Sequence, residues 1–175
     1  MTSLPHSSNA ASSGDWLAAL PRVVTDVAEQ AFFAWAVPCE RERFAKLVAE
    51  TSKASPEPPD AAWLHAHVGF RGAVMGALEI LMPDTLARDL GATVMGKAPE
   101  DPMTDRELRD VAGELANMIC GALLTRSNRN EPFELRPPLT ERASAQPDEP
   151  GEPGLELFFC LNDRPVLVRF VVRTT

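Results

Sequence analysis

Four residues, Asp110, Glu114, Asn117 and Gly121, have side-chain types and a spacing that could form a chemical site. If residues 104–126 form a helix, winding at about 100° per residue places all four in a stripe roughly 60° wide. Residues three or four apart on a helix are neighbours, so the Glu114 carboxylate and the Asn117 amide can project together into a partner's cleft. Gly121, two turns beyond Glu114, leaves the stripe flat. We call these four residues the polar ridge.

The helix that must carry the polar ridge has a clear predicted start. Thr104 is followed three residues later by Glu107, the spacing of a capping box in which each side chain satisfies the other residue's backbone N–H. Apolar residues then recur at helical spacing on a face about 150° from the ridge. They are Leu108, Val111, Ala112, Leu115, Met118, Ile119, Ala122 and Leu123.

Composition limits the class of protein. A chain of 175 residues that is 45% hydrophobic and 24% charged is long enough for one domain with a real core. Its net charge of −8, with only 17 scattered Lys and Arg residues, argues against nucleic acid, because phosphate binding requires a basic stripe. A protein partner or a small molecule is the better expectation.

The three cysteines, Cys39, Cys120 and Cys160, have no CxxC spacing and lie among apolar residues, as expected for reduced core residues of a cytoplasmic protein. Residues 1–14 carry neither a basic patch nor an apolar segment of a secretory signal, and their composition predicts a disordered leader. We also find no run of about 18 apolar residues that would predict a membrane span. The expected location is cytoplasmic.

The first half of the chain predicts helical structure over residues 15–37, which Pro38 ends. Pro21 suits the first turn of a helix, so residues 15–20 form either a short separate turn or part of the same helix. Residues 40–50 fit either a helix or an edge strand. Three prolines make residues 51–60 a loop. The apolar face of the first helix comprises Val23, Val24, Val27, Ala28, Ala31, Phe32 and Trp35.

A change to two-residue alternation near residue 63 predicts a hairpin that turns at Arg71 and Gly72. Pro83 and Asp84 then open a short helix that Gly96 ends. Its predicted inward residues are Leu86, Leu90 and Met95.

After the central helix, residues 132–141 predict an edge strand, since Pro137 and Pro138 would remove ladder donors inside a sheet. Residues 142–153 read as a loop, and the chain closes with a hairpin that turns at Asn162-Asp163.

Strands that follow strands predict an α+β fold, with an antiparallel sheet covered by two long helices and one short helix. The predicted organisation is a leader over residues 1–14 and a single domain over residues 15–175, with loops at 51–60 and 142–153.

The run DVAGELANMICG, residues 110–121, resembles the signature D/S-x-x-x-E-x-x-N of the CheC/CheX/FliY family of chemotaxis phosphatases. Here Asp110, Glu114 and Asn117 fill the three positions, and Gly121 follows as it commonly does in that family. The resemblance extends to the order of helices and hairpins over about residues 20–175.

The resemblance implies a phosphatase that hydrolyses the aspartyl phosphate of a CheY-like response regulator. In that family the Asn, here Asn117, orients the attacking water, and the Glu, here Glu114, pairs with the regulator's active-site lysine. Asp110 and Gly121 would contact the partner. The regulator brings its own Mg²⁺, so no metal or cofactor is expected on this chain, because positioning and electrostatics are sufficient for so labile a bond.

The CheC branch of the family repeats the motif on its first helix. Here Glu29 is followed three residues later by Phe32 where Asn would stand, so we expect one site, as in the CheX branch. CheX relatives also imply a homodimer, and the apolar strand over residues 166–172 offers a predicted edge for strand pairing.

Other readings stay open. The same fold family includes flagellar motor switch components, so the chain could instead be a non-catalytic binding or dimerisation module. His65 and His67 share a strand face, as a metal site would require, but no third ligand is evident. Cys120 is predicted to lie near the core, and nothing basic adjoins it to make it a nucleophile.

Overall fold

The computed structural model describes residues 13–54, 62–72, 74–98, 100–127, 132–144 and 154–173. Its elements confirm the α+β class, with strands grouped into one antiparallel sheet. In chain order they are α1 (Ser13–Phe32), β1 (Ala36–Cys39), α2 (Arg41–Ala54), β2 (Trp63–Arg71), β3 (Met75–Pro83), α3 (Asp84–Met95), α4 (Asp105–Ser127), β4 (Glu134–Leu135), β5 (Leu139–Ala143), β6 (Leu155–Leu161) and β7 (Arg164–Arg173).

The predicted capping box starts α4. The Thr104 N–H donates to Glu107 Oε2 at 2.7 Å, and the Glu107 N–H donates to Thr104 Oγ1 at 3.2 Å. Lys97 Nζ donates to Glu107 Oε1 at 2.6 Å. Hydrogen bonding from Lys97, with that from Thr104, lowers the pKa of Glu107 to about 2. The start of the motif helix is therefore set by local chemistry, as the sequence predicts.

The predicted apolar face of α4 is buried except at its edge, where Ala122 is half-buried and Met118 is 36% exposed. Helix α4 packs with α1 and α3 on one face of the sheet, against the inward residues of β2, β3, β6 and β7. This layer forms the main core. The opposite face carries a smaller cluster under α2, made of Phe44, Ala62, Trp63, Leu81 and Leu167.

Both predicted hairpins are present. Strands β2 and β3 pair from Trp63 opposite Pro83 to Arg71 opposite Met75. Strands β6 and β7 turn at Asn162-Asp163, where both residues have positive φ, 44° and 62°. Two consecutive positive φ values match the twist of a two-residue hairpin, and Asn and Asp tolerate them.

The expectation that residues 166–172 form an edge for dimerisation is wrong. The order across the sheet is β1-β6-β7-β3-β2-β4, with β5 also paired to β2, so β7 is central. It is bonded to β3 on one side and β6 on the other. A nearly continuous apolar run, here broken only by Arg169, is the pattern of a strand covered on both faces, and residues 165–171 are all buried.

The end of the first helix also differs from the prediction. Helix α1 is continuous through Pro21 and ends at Phe32, five residues before Val37, and Phe33 has a positive φ of 53°. Residues 36–39 instead form β1, which pairs only with β6 and so tolerates Pro38 at the sheet edge. Trp35 therefore lies beyond the end of α1 and is 44% exposed, although its spacing predicted a place on the apolar face of that helix.

Smaller boundaries shift as well. Residues 40–50, which fitted either a helix or an edge strand, are helical from Arg41 onward. This helix, α2, continues through Ala54 into the predicted loop. Ser13 and Gly14 belong to α1, while residues 1–12, 55–61 and 145–153 lie outside the described residues. Gly96 ends α3 with a φ of 64°, as predicted, but Met95 is 44% exposed and not inward. Among the described residues, no helix combines the length and apolarity needed to cross a membrane.

Candidate functional site

The structure brings the four residues of the polar ridge together on the outer face of α4. Asp110 and Glu114 are exposed, while Asn117 and Gly121 are half-buried. Arg106 lies 3.8 Å from Asp110 as an i,i+4 ion pair. Within the described part of the chain, neither Glu114 nor Asn117 has a side-chain hydrogen bond or ion pair. A carboxylate and an amide, one turn apart and without partners, are available to another molecule.

One flank of the ridge is formed by residues 134–143, which comprise β4, β5 and the residues between them. We call this stretch the β4–β5 segment. A Cβ added at Gly113 would lie 3.1 Å from Thr140 Oγ1 and 3.2 Å from Pro138 Cβ, so helix and segment are in close contact there. Two turns on, a Cβ at Gly121 would lie 3.6 Å from Leu135 Cδ1. Pro137 and Pro138, which predicted an edge strand, lie exposed between β4 and β5.

A cavity of about 620 Å³ opens between α4 and this segment. It contains Asp110 and Glu114 from the ridge, together with basic residues of the preceding helical turns. Its lining residues are Asp105, Arg106, Arg109, Asp110, Gly113, Glu114, Pro138, Leu139 and Thr140.

Arg142, on β5, fixes the start of α4 relative to its neighbours. Its Nε donates to Asp105 Oδ1 at 2.8 Å, and its Nη1 donates to the buried Asp84 at 3.1 Å. Arg109 Nε lies 2.8 Å from Asp105 Oδ2 as a second ion pair. The hydrogen bond from Arg142 is the main reason that the pKa of Asp105 is lowered. This clamp joins α3, α4 and β5, so the ridge is presented from a fixed frame.

The other candidates lie away from the ridge. Cys120 is fully buried, and burial raises the pKa of its thiol to about 12, which leaves it unreactive as a nucleophile. All three cysteines are free, Cys160 is buried and Cys39 is half-buried. Phe32, at the position where a second motif would need Asn, is buried in the core.

His65, one of the two histidines, belongs to a network of charges on the other face of the sheet. His65 Nε2 lies 3.6 Å from Glu79 Oε2, and its Nδ1 lies 3.8 Å from Glu141 Oε1. The contact with Glu79 is the main reason that the pKa of His65 is raised. Glu79 also pairs with the buried Arg169 at 3.2 Å. In the described ranges, no group of three or more His, Cys, Asp or Glu residues could hold a metal.

Sequence reasoning missed the residues that position the ridge. Leu139 and the Arg142 clamp are brought to α4 by the β5 strand, whose place in the sheet depends on pairing with β2. Gly113 is the residue of α4 that faces Pro138 and Thr140. One local signal was present, since an interior helical glycine usually has a packing reason.

Comparison with known proteins identifies relatives of the chain by sequence and by fold. The family model described as "Chemotaxis phosphatase CheX" matches residues 64–150, which include the polar ridge and the β4–β5 segment. No curated protein matches the sequence.

Solved structures of CheX proteins share the fold. CheX from Vibrio vulnificus has a TM-score of 0.67 at 15% identity, with 93% of this chain and 99% of that chain covered. CheX from Desulfovibrio desulfuricans has a TM-score of 0.65 at 16% identity, with 91% and 99% covered. CheX from Borrelia burgdorferi, solved in a CheX-CheY-BeF3-Mg complex, has a TM-score of 0.50 at 18% identity, with 76% and 97% covered.

These identities by themselves establish only a shared fold. The family match covers the helix that carries the ridge, and the fold agrees with the CheX structures over more than 90% of this chain. The chain therefore belongs to the CheX family of chemotaxis phosphatases.

Proposed function

We propose that this protein hydrolyses the aspartyl phosphate of a CheY-like response regulator. The observation that carries the proposal is that Glu114 and Asn117 lie together, without partners, beside a cavity on the helix that the family match covers. A CheX of the same fold has been solved as a complex with CheY, beryllofluoride and magnesium, which supports the choice of partner.

In the proposed mechanism, α4 inserts the ridge into the regulator's active site. The Asn117 amide oxygen accepts a hydrogen bond from a water molecule and so holds that water in line with the phosphorus atom. The water oxygen bonds to phosphorus while the bond between phosphorus and the aspartyl oxygen breaks. The aspartate leaves as a carboxylate, and the water's protons leave with inorganic phosphate or pass to solvent. Positioning of this kind removes much of the entropic barrier.

Glu114 anchors the complex by pairing with a lysine of the regulator's active site. Such a pair strengthens as water is excluded from the contact. The Mg²⁺ that neutralises the phosphoryl group is held by the regulator. Asp110 and Gly121 contact the partner, and a cytoplasmic location follows from the proposed substrate. The proposed chemistry requires no metal or cofactor on this chain.

A panel of phosphorylated CheY-like receivers provides the test. Each receiver is charged with a small phosphodonor, and loss of its phosphoryl group is followed with and without this protein. We expect accelerated loss for at least one receiver. If the protein binds beryllofluoride-loaded receivers but accelerates none of them, it is a binding module and not a phosphatase.

We also propose a homodimer. Since β7 is central, the described sheet has its edges at β1 and at the β4–β5 side, and the latter borders the ridge. Phe33 and Trp35, just before β1, and Val37, within it, leave 75%, 44% and 43% of their surfaces exposed. Pairing through β1 would cover them and leave the ridge free. Sedimentation velocity of the wild-type protein should give a dimer, and a monomer at micromolar concentration would contradict this.

A further inference from the structure

Leu139 is an apolar residue in an unusual place. Its side chain leaves 71% of its surface exposed, and among the large apolar residues that the structure describes only Phe33 is more exposed. Single exposed leucines are common on protein surfaces and need no explanation. This one, however, lines the same cavity as Glu114.

The backbone holds Leu139 in a fixed position relative to the ridge. It follows two prolines, whose rings restrict φ, and it pairs with His67 on β2. Its neighbours Pro138 and Thr140 pack against Gly113, the residue directly before Glu114. A rigid apolar contact loses little entropy on binding, which favours its use as an anchor.

We propose that Leu139 is the apolar anchor for the receiver domain, taking up an apolar side chain from the receiver surface beside its phosphorylated aspartate. This inference rests on the proposed function and deepens it. The supporting observation is continuity: the cavity between α4 and β5 joins Leu139 to the ridge, so a receiver seated on Glu114 must cover it.

Charged residues line the same cavity. On the wall opposite Leu139, Arg106 pairs with Asp110 and Arg109 pairs with Asp105. Glu114, the third carboxylate of the lining, has no such partner among the described residues and is left to pair with a cation of the receiver. The cavity therefore places an unpaired carboxylate and one exposed apolar side chain side by side for the same partner.

The consequence is a separation of affinity from turnover. Leu139 is on the flank of the ridge and does not reach the reacting atoms, so its contact is the same in the ground state and in the transition state. Loss of a contact that is equally strong in both states raises KM and leaves kcat unchanged. Burial of most of a leucine side chain corresponds to roughly a 10-fold change in affinity.

Kinetics with a phosphorylated receiver as the varied substrate test the proposal. We expect Leu139→Ala to raise KM about 10-fold at unchanged kcat, and Leu139→Met to restore KM to within about 3-fold of the wild type. Met95→Ala, which changes an equally apolar residue 44% exposed at the far end of α3, is the matched control and should change neither constant. A urea titration verifies that each variant is folded.

Binding of the beryllofluoride-loaded receiver, measured by calorimetry, gives a second readout that needs no turnover. Weaker binding by Leu139→Ala and unchanged binding by Met95→Ala would support the anchor. Wild-type KM and affinity in Leu139→Ala, or a lower kcat at unchanged KM, would overturn it while an active wild type keeps the proposed function. A wild type that neither binds nor dephosphorylates any receiver would overturn both.

Discussion

A Cβ atom added at Gly113 would lie 3.1 Å from the hydroxyl oxygen of Thr140, so α4 and β5 are in close contact directly before Glu114. Contacts that short are tighter than ordinary packing, and a larger residue at this point must move the strand or the helix. The absence of a side chain at Gly113 thus sets how far the ridge stands above the β4–β5 segment.

Gly113→Val should destabilise the protein by about 1–3 kcal/mol, because its side chain would overpack the contact with Pro138 and Thr140. Urea unfolding measures the change. Gly121→Ala is the control, since its Cβ would meet only Leu135 at 3.6 Å and alanine is the better helix former by about 0.8–1 kcal/mol. Equal stability of Gly113→Val and the wild type would show that the close approach is unimportant.

Gly121→Gln should separate folding from partner access. The position is half-buried on the ridge and has room for a side chain, so we expect the free energy of unfolding to remain within about 1 kcal/mol of the wild type. A long side chain beside Asn117 would nevertheless obstruct the receiver, and dephosphorylation should slow by about 10-fold or more. An unchanged rate in a folded Gly121→Gln protein would show that this end of the ridge is not covered by the partner.

The capping box makes stability depend on pH. The pKa of Glu107 is lowered from 4.5 to about 2, so its charged form favours the folded state. That contribution is complete above pH 4.5 and is lost as the pH falls through 4.5 towards about 2. The difference in urea midpoint between the wild type and Glu107→Gln should therefore shrink from about pH 7 to about pH 2. Glu29→Gln, on the exposed face of α1, is the control, and a Glu107→Gln difference that is constant with pH would contradict the account.

Local chemistry explains what could be predicted from the sequence. The Thr104–Glu107 capping box, the alternation of β2 and the Asn162-Asp163 turn involve residues close in the chain, and each of these predictions is confirmed. The polar ridge follows from helical winding alone, so its four residues were placed together correctly.

What could not be predicted depends on contacts between distant residues. Pro38 fits a helix end as well as an edge strand, and only the pairing of β1 with β6 distinguishes them. The apolar run of β7 carries no information about which strands lie beside it. Arg142 bonds to residues 37 and 58 positions away, and no local pattern predicts such a clamp. Leu139 likewise enters the site only because β5 pairs with β2.

The most direct test of the central claim compares wild type with Asn117→Ala in the decay of a phosphorylated receiver. Asn117 is half-buried and has no described hydrogen bond, so the substitution should leave folding and binding of the beryllofluoride-loaded receiver nearly unchanged. We predict that Asn117→Ala slows dephosphorylation by about 100-fold or more, because the attacking water is no longer held. A decay rate equal to that of the wild type would contradict the proposed mechanism.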